Sequence, residues 1–423
     1  MEVQKTKLKN GLRIVTKKLE NTASLTVLIL VGAGSRYESE EISGISHFLE
    51  HMFFKGAKKY KNTREVSEAI DSVGGEFNAF TGKEYAGYFV KVAAEHGDLA
   101  LDVLSDMLIH SRFDPNEIDK ERGVILEEYN MYQDTPIYQI GWDFERLVFG
   151  DSPLGRDQIG TKELISSVTQ EQFRSYFDSL YTPDNTVIAI AGNIDHQDAV
   201  KKIEDLFKFK VKEKSLQFEP LSHYSKDKRI SVRNKKTEQA HVVVGFPAYQ
   251  DNHPKQYAAK LLSVILGGNM SSRMFLSVRE SQGLAYYINT TTDEYYDGGT
   301  LTTNSGVSVE RVEQAIKSII KEYQKSAKEG VSQAELDKAK AYLKGRITLR
   351  LEDSEEYAHL LGKYELLQGK FKSPEAILKQ MEAVNLEEVN EVAKDIFKPE
   401  ELRICIIGPF EDAERFEKLL NFA

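Results

Sequence analysis

The 423-residue chain carries a single cysteine, Cys405, inside the apolar run LRICIIG. No disulfide can close within it and no thiolate cluster can hold a metal, so Cys405 reads as a small buried hydrophobe. The chain also lacks any run of about 18 apolar residues, the length a membrane span requires. Its opening stretch, MEVQKTKLKNGLRIV, turns polar too often for a secretory leader. Excess basic charge is missing as well. There are 56 Lys and Arg against 66 Asp and Glu, a formal charge of −10, which argues against general affinity for nucleic-acid backbones or anionic membranes. The expectation is a soluble, cytoplasmic protein. No dinucleotide fingerprint is present either, because Tyr37 stands where GAGSR (32–36) would need its third glycine.

What is present is an ordinary globular composition, 41% hydrophobic and 29% charged, over a length that suggests two or three domains. The second half rewrites the first. TQEQFRSYFDSLYTPDNTVIAIAGN (169–193) parallels NLEEVNEVAKDIFKPEELRICIIGP (385–409), so that Pro183 matches Pro399 and Gly192 matches Gly408. DPNEIDKERGVI (114–125) parallels SQAELDKAKAYL (332–343), with Glu117 matching Glu335. A spacing of 216 to 218 residues in both places implies an internal tandem repeat. Each half opens with β-type alternation, as in SLTVLILVGAG and AHVVVGFPA, and runs through amphipathic helices to a closing strand. The expected fold class is α+β: two homologous sandwich domains, 1–210 and 229–423, facing each other across a cleft. The polar, lysine-rich segment 211–228, with Pro220, reads as the linker.

In SGISHFLEHMFFKG (43–56), Ile45, Phe48, Leu49, Met52 and Phe53 have the spacing of a core-facing helical stripe. His47, Glu50 and His51, at i, i+3 and i+4, share another face. Two imidazoles one turn apart can bind one zinc, and a carboxylate beside them can reach a water on that metal. The order H-x-x-E-H reverses the commoner H-E-x-x-H. The site needs a third protein ligand, and the helix opened by Asp114-Pro115 offers one. There Glu121, Val124, Ile125 and Glu128 fall on one stripe, and carboxylates buried beside branched apolar residues need a cation. Glu128 is favoured over Glu127, which lies about 100° round the helix. Glu121, two turns earlier, reads as the acceptor that orients a ligand histidine. The metal set is therefore His47, His51 and Glu128. His96, His110, His196, His223, His241, His253 and His359 form no ligand spacing.

These residues resemble the pitrilysin/insulinase family of zinc metallopeptidases, and most closely its short two-domain bacterial members related to mitochondrial processing peptidase. His51 is followed by 76 intervening residues and then Glu128, with Glu121 seven positions before it. The resemblance implies a zinc-dependent endopeptidase acting on peptides or small unfolded proteins. One Zn2+ per chain would sit on His47, His51 and Glu128, with Glu50 as general base. GGEFNAFTG (74–82) resembles the family's substrate-binding edge strand, which implies that Asn78, Ala79, Phe80 and Thr81 hold an extended peptide by main-chain pairing. In LGGNMSSRMFLSVRESQGLAYYI (266–288), Arg279 and Tyr286 match a pair that would stabilise an oxyanion. At the spacing of the repeat, Glu128 corresponds to Arg346 and QYAAKLLSVILGG has no histidine, so only the first half is expected to hold metal. Short members pair up, which implies a homodimer of complete subunits. The alternative is a non-catalytic structural or partner subunit, but such chains lose a ligand or the base, and all four residues are intact here.

Overall fold

A computed structural model of the protein describes residues 3–20, 22–209 and 213–420. The described chain is mixed helix and sheet, with two sheets and two compact units. Those units do not coincide with the two halves of the sequence. The first comprises residues 1–130, 156–219 and 347–372, and the second comprises 131–155, 220–346 and 373–423. The segment expected to be the linker holds no helix or strand over 213–228, and its first residues, 211 and 212, lie outside the described residues.

The first unit is built on a six-stranded sheet of β1 (Gln4–Lys7), β2 (Arg13–Lys18), β3 (Ser24–Val31), β4 (Glu76–Thr81), β5 (Ala86–Ala93) and β6 (Thr186–Gly192). Its order is β1-β2-β6-β3-β5-β4, with β2 and β6 parallel and the other pairs antiparallel. In the central strand β3, SLTVLILV, seven of eight residues are buried. A strand loses its polar alternation in this way when both of its faces are covered. On one face Leu28, Leu30, Phe89 and Ala189 pack against Tyr357, Ala358 and Leu361 of helix Ser354–Gln368. That helix comes from the second half of the sequence. Gly362 permits its close approach, since a Cβ there would meet Leu30 at 2.7 Å. Lys91 and Asp353 tie the helix start to β5 at 2.9 Å.

The second unit repeats the arrangement with five strands: β7 (Ile230–Asn234), β8 (Gln239–Ala248), β9 (Ala285–Glu294), β10 (Gly299–Ser308) and β11 (Arg403–Gly408), in the order β7-β11-β8-β10-β9. Only β7 and β11 are parallel, in the positions that β2 and β6 hold in the first sheet. Helix Pro136–Phe149, from the first half of the sequence, supplies Ile140, Phe144 and Val148 to a core with Val243, Cys405 and Ile407. Corresponding helix starts carry corresponding caps. Thr169 and Asn385, 216 residues apart, each close a capping box. The contiguous domains expected from the sequence thus give way to units that each borrow one helix from the other half. An amphipathic helix shows its apolar stripe in the sequence but not which sheet will cover it.

Candidate metal centre

The helix predicted to carry the histidines spans Ile45–Phe53 in the first unit. Its apolar stripe is fully used: Ile45, Phe48, Leu49, Met52 and Phe53 are each no more than 1% exposed. Phe53 meets Tyr88 edge-on at 4.9 Å and Phe48 meets Phe173 at 5.0 Å, which fixes the helix rotation. Its start is held by a residue the sequence reading did not single out. The buried Glu38 carboxylate accepts the Gly44 N–H at 2.6 Å and the Ser46 N–H at 2.8 Å, satisfying donors that the first turn leaves open. Gly44 has φ +103°, and a Cβ there would stand 2.5 Å from the Ile159 carbonyl oxygen, so the position requires glycine.

The opposite face of the helix presents His47, Glu50 and His51. The second contributor, helix Pro115–Asp134, begins where the sequence predicted, with the Asp114 side chain accepting the Asn116 N–H. Along it Glu121 and Ile125 are buried and Glu128 is half-buried. Val124, expected to share that stripe, is instead 51% exposed, because it lies one step round the helix from the buried Ile125. The rival Glu127 is exposed.

His47, His51 and Glu128 each offer a ligand atom within 4.8 Å of the others, the only such group of three donors among the described residues. His47 Nε2 lies 3.5 Å from Glu128 Oε1, and His51 Nε2 lies 3.4 Å from Glu128 Oε2. The two imidazoles meet edge-on at 4.8 Å. Glu121 Oε1 takes the other ring nitrogen of His51, Nδ1, at 2.9 Å, which leaves Nε2 directed toward the cluster. Lys55, also missed in the sequence although it lies four residues beyond His51, holds Glu121 Oε2 at 2.5 Å.

Burial disfavours a charged His51, but the hydrogen bonds and charges of Glu121 and Glu128 outweigh it and raise the imidazole to about 9. Burial likewise pushes the Glu128 carboxyl up, and His47 and His51 reverse this, holding it well below the usual carboxylate range. Two carboxylates converging on two histidines demand positive charge. A proton or a divalent cation can supply it, and N/O donors of this kind suit zinc. The residues present therefore fit a metal, and the buried His47 Nδ1 has no hydrogen-bond partner among the described residues.

Asn78, Ala79, Phe80 and Thr81 lie on β4, which ends the sheet order and, among the described residues, pairs only with β5. Asn78 Oδ1 accepts the Ala79 N–H at 2.9 Å, and Gln158 Nε2 reaches the Thr81 carbonyl at 3.5 Å. Both main-chain groups thus point away from β5, along the open edge. The Phe80 ring turns to the other face, 5.2 Å from His359. Arg279 and Tyr286 belong to the second unit. Arg279 lies over the Phe275 ring at 4.6 Å, and Tyr286, near the start of β9, is 74% exposed.

Two family patterns match the chain: insulinase (peptidase family M16) over residues 13–148, and peptidase M16 inactive domain over residues 167–343. An uncharacterized zinc protease of Bacillus subtilis is 40% identical over 402 residues, spanning 95% of this chain and 97% of that one. One from Streptomyces coelicolor is 35% identical across 97% of this chain and 91% of its own length. Among solved structures, a Helicobacter pylori protease superposes with a TM-score of 0.89 at 25% identity, covering 96% of this chain and 99% of that one. A peptidase M16 inactive domain from Pseudomonas fluorescens shares the fold, with a TM-score of 0.90 at 18% identity over 97% of this chain and 98% of that one. By sequence over nearly its whole length and by fold, the chain belongs to the M16, or insulinase, family.

Proposed function

We propose that the protein is a zinc-dependent endopeptidase that hydrolyses peptides or small unfolded proteins. The observation that carries this reading is the convergence of His47, His51 and Glu128 on the face that also bears Glu50, in the unit whose edge strand β4 is open. His47, His51 and Glu128 hold one zinc ion, with Glu121 fixing the His51 ring. The bound ion supplies Lewis acidity toward water and toward the scissile carbonyl. An extended peptide pairs with the outward main-chain groups of Ala79 and Thr81. Glu50 takes the proton from the attacking water and passes it to the leaving amine. The assignment of Arg279 and Tyr286 as donors to the oxyanion rests on the family resemblance. The same element order at a spacing of 216 to 218 residues supports duplication of one ancestral half.

A chelator is expected to abolish cleavage of a quenched-fluorescent peptide library, and added zinc to restore it. Cleavage that survives complete metal removal would sink the assignment. The intact donor set and base weigh against a non-catalytic partner subunit, which would bind zinc without cleaving any member of the library. No helix among the described residues is long and apolar enough to cross a membrane. We further propose that two copies associate. Light scattering is expected to give twice the 48.0 kDa chain mass, and an active protein that stays monomeric would refute the pairing.

A further inference from the structure

Glu50 must do more than sit near the histidines. A general base works only if its carboxylate is aimed, and a half-buried glutamate on a helix surface has three side-chain torsions with which to point elsewhere. Among the described residues its one hydrogen-bond partner is Thr81: the Thr81 hydroxyl donates to Glu50 Oε2 at 2.5 Å. A hydroxyl meeting a carboxylate oxygen at this distance is at the short end of the range for such bonds. The buried Tyr88 and Tyr181 hydroxyls bond to each other at 2.7 Å, one donating and the other accepting, and neither bonds to Glu50 among the described residues. Thr81 is thus the group that fixes the direction of the carboxylate.

Thr81 is also the last residue of the open edge strand β4. Its side chain turns toward the histidine helix, as does that of Phe77, which packs against Phe54 at 5.7 Å between ring centres. Its carbonyl points along the open edge, where Gln158 Nε2 reaches it. One residue therefore contributes main chain to the edge that would pair with a peptide and side chain to the group that would act on that peptide.

We propose that Thr81 is a positioning residue, whose hydroxyl holds the Glu50 carboxylate in register with a peptide paired to β4. This rests on the endopeptidase reading. Thr81→Val keeps the β-branched shape and every main-chain group while removing the hydroxyl, so it leaves peptide pairing intact and frees the carboxylate. Misplacing a catalytic group by about 1 Å can cost about 10²-fold in rate.

The experiment compares wild type, Thr81→Val and Thr81→Ser for kcat and KM on one quenched-fluorescent peptide, for zinc content, and for the Glu50 conformation in crystals of the zinc-loaded proteins. The expected result for Thr81→Val is a fall of about 10²-fold in kcat, with KM within about threefold and zinc content unchanged. Its Glu50 carboxylate is expected to be displaced or spread over several rotamers. Thr81→Ser is expected to restore both kcat and the single conformation. A Thr81→Val protein with wild-type kcat, or one in which only KM rises, would overturn the proposal. If wild type cleaves nothing, the endopeptidase reading falls, and the crystals still decide the positioning role: an unmoved Glu50 in Thr81→Val overturns it.

Discussion

Glu50→Gln is expected to lower kcat by about 10²–10⁴-fold, the contribution of a positioned acid–base group, while zinc content and KM stay close to those of wild type. The substitution isolates one property. Glu50 is not among the three donors that converge at the metal centre, so its loss leaves that group complete. Glutamine matches the shape of glutamate, and its amide oxygen can still accept from the Thr81 hydroxyl, so the local geometry survives. What disappears is the capacity to accept a proton from water and return it to the leaving amine. Peptide pairing along β4 uses main-chain groups that the change does not touch. Steady-state kinetics on a quenched-fluorescent peptide, with metal analysis of the same sample, tests this. A Gln variant that turns over at the wild-type rate would remove Glu50 from the mechanism, and one that loses zinc would show instead that Glu50 supports the donor set.

The difference between what the sequence displayed and what it hid follows the range of the interactions. The histidine helix was legible because Ile45, Phe48, Leu49, Met52 and Phe53 mark one face at helical spacing, which leaves His47, Glu50 and His51 on another. Glu128 was legible by phase, since the geometry of a single helix separates it from Glu127, which is exposed. The same argument overreached at Val124, where a residue one step round the helix from buried Ile125 faces solvent. The contact from Thr81 to Glu50 joins residues 31 positions apart, and the one from Glu38 reaches across the short 3-10 turn Glu40–Ile42 to the helix start. Neither leaves a periodic trace. Domain boundaries were hidden for a related reason. Helices 136–149 and 354–368 occupy corresponding places in the two halves, and either sheet offers an apolar face that such a helix can cover.

Glu128→Ala is expected to weaken zinc binding by more than the 10–100-fold typical of losing an outer partner of a metal ligand, and to abolish peptide cleavage with it. Of the three converging side chains, Glu128 alone carries negative charge, and it faces both His47 Nε2 and His51 Nε2 at 3.5 and 3.4 Å. Without it two imidazoles remain, fewer protein donors than catalytic zinc sites ordinarily use. Two companion variants make the measurement decisive. Glu127→Ala removes the neighbouring carboxylate, which is exposed and turned away, and is expected to bind zinc as wild type does. Glu121→Gln keeps an acceptor near His51 Nδ1 but loses the charge that Lys55 holds in place, and is expected to fall between the two, about 10–100-fold weaker. Competition titration with a chromophoric chelator reads all three. The order Glu128→Ala weakest, Glu121→Gln intermediate and Glu127→Ala unchanged is the signature of a ligand, an orienting partner and a bystander. If Glu127→Ala loses the metal while Glu128→Ala keeps it, the third ligand has been assigned to the wrong face of its helix.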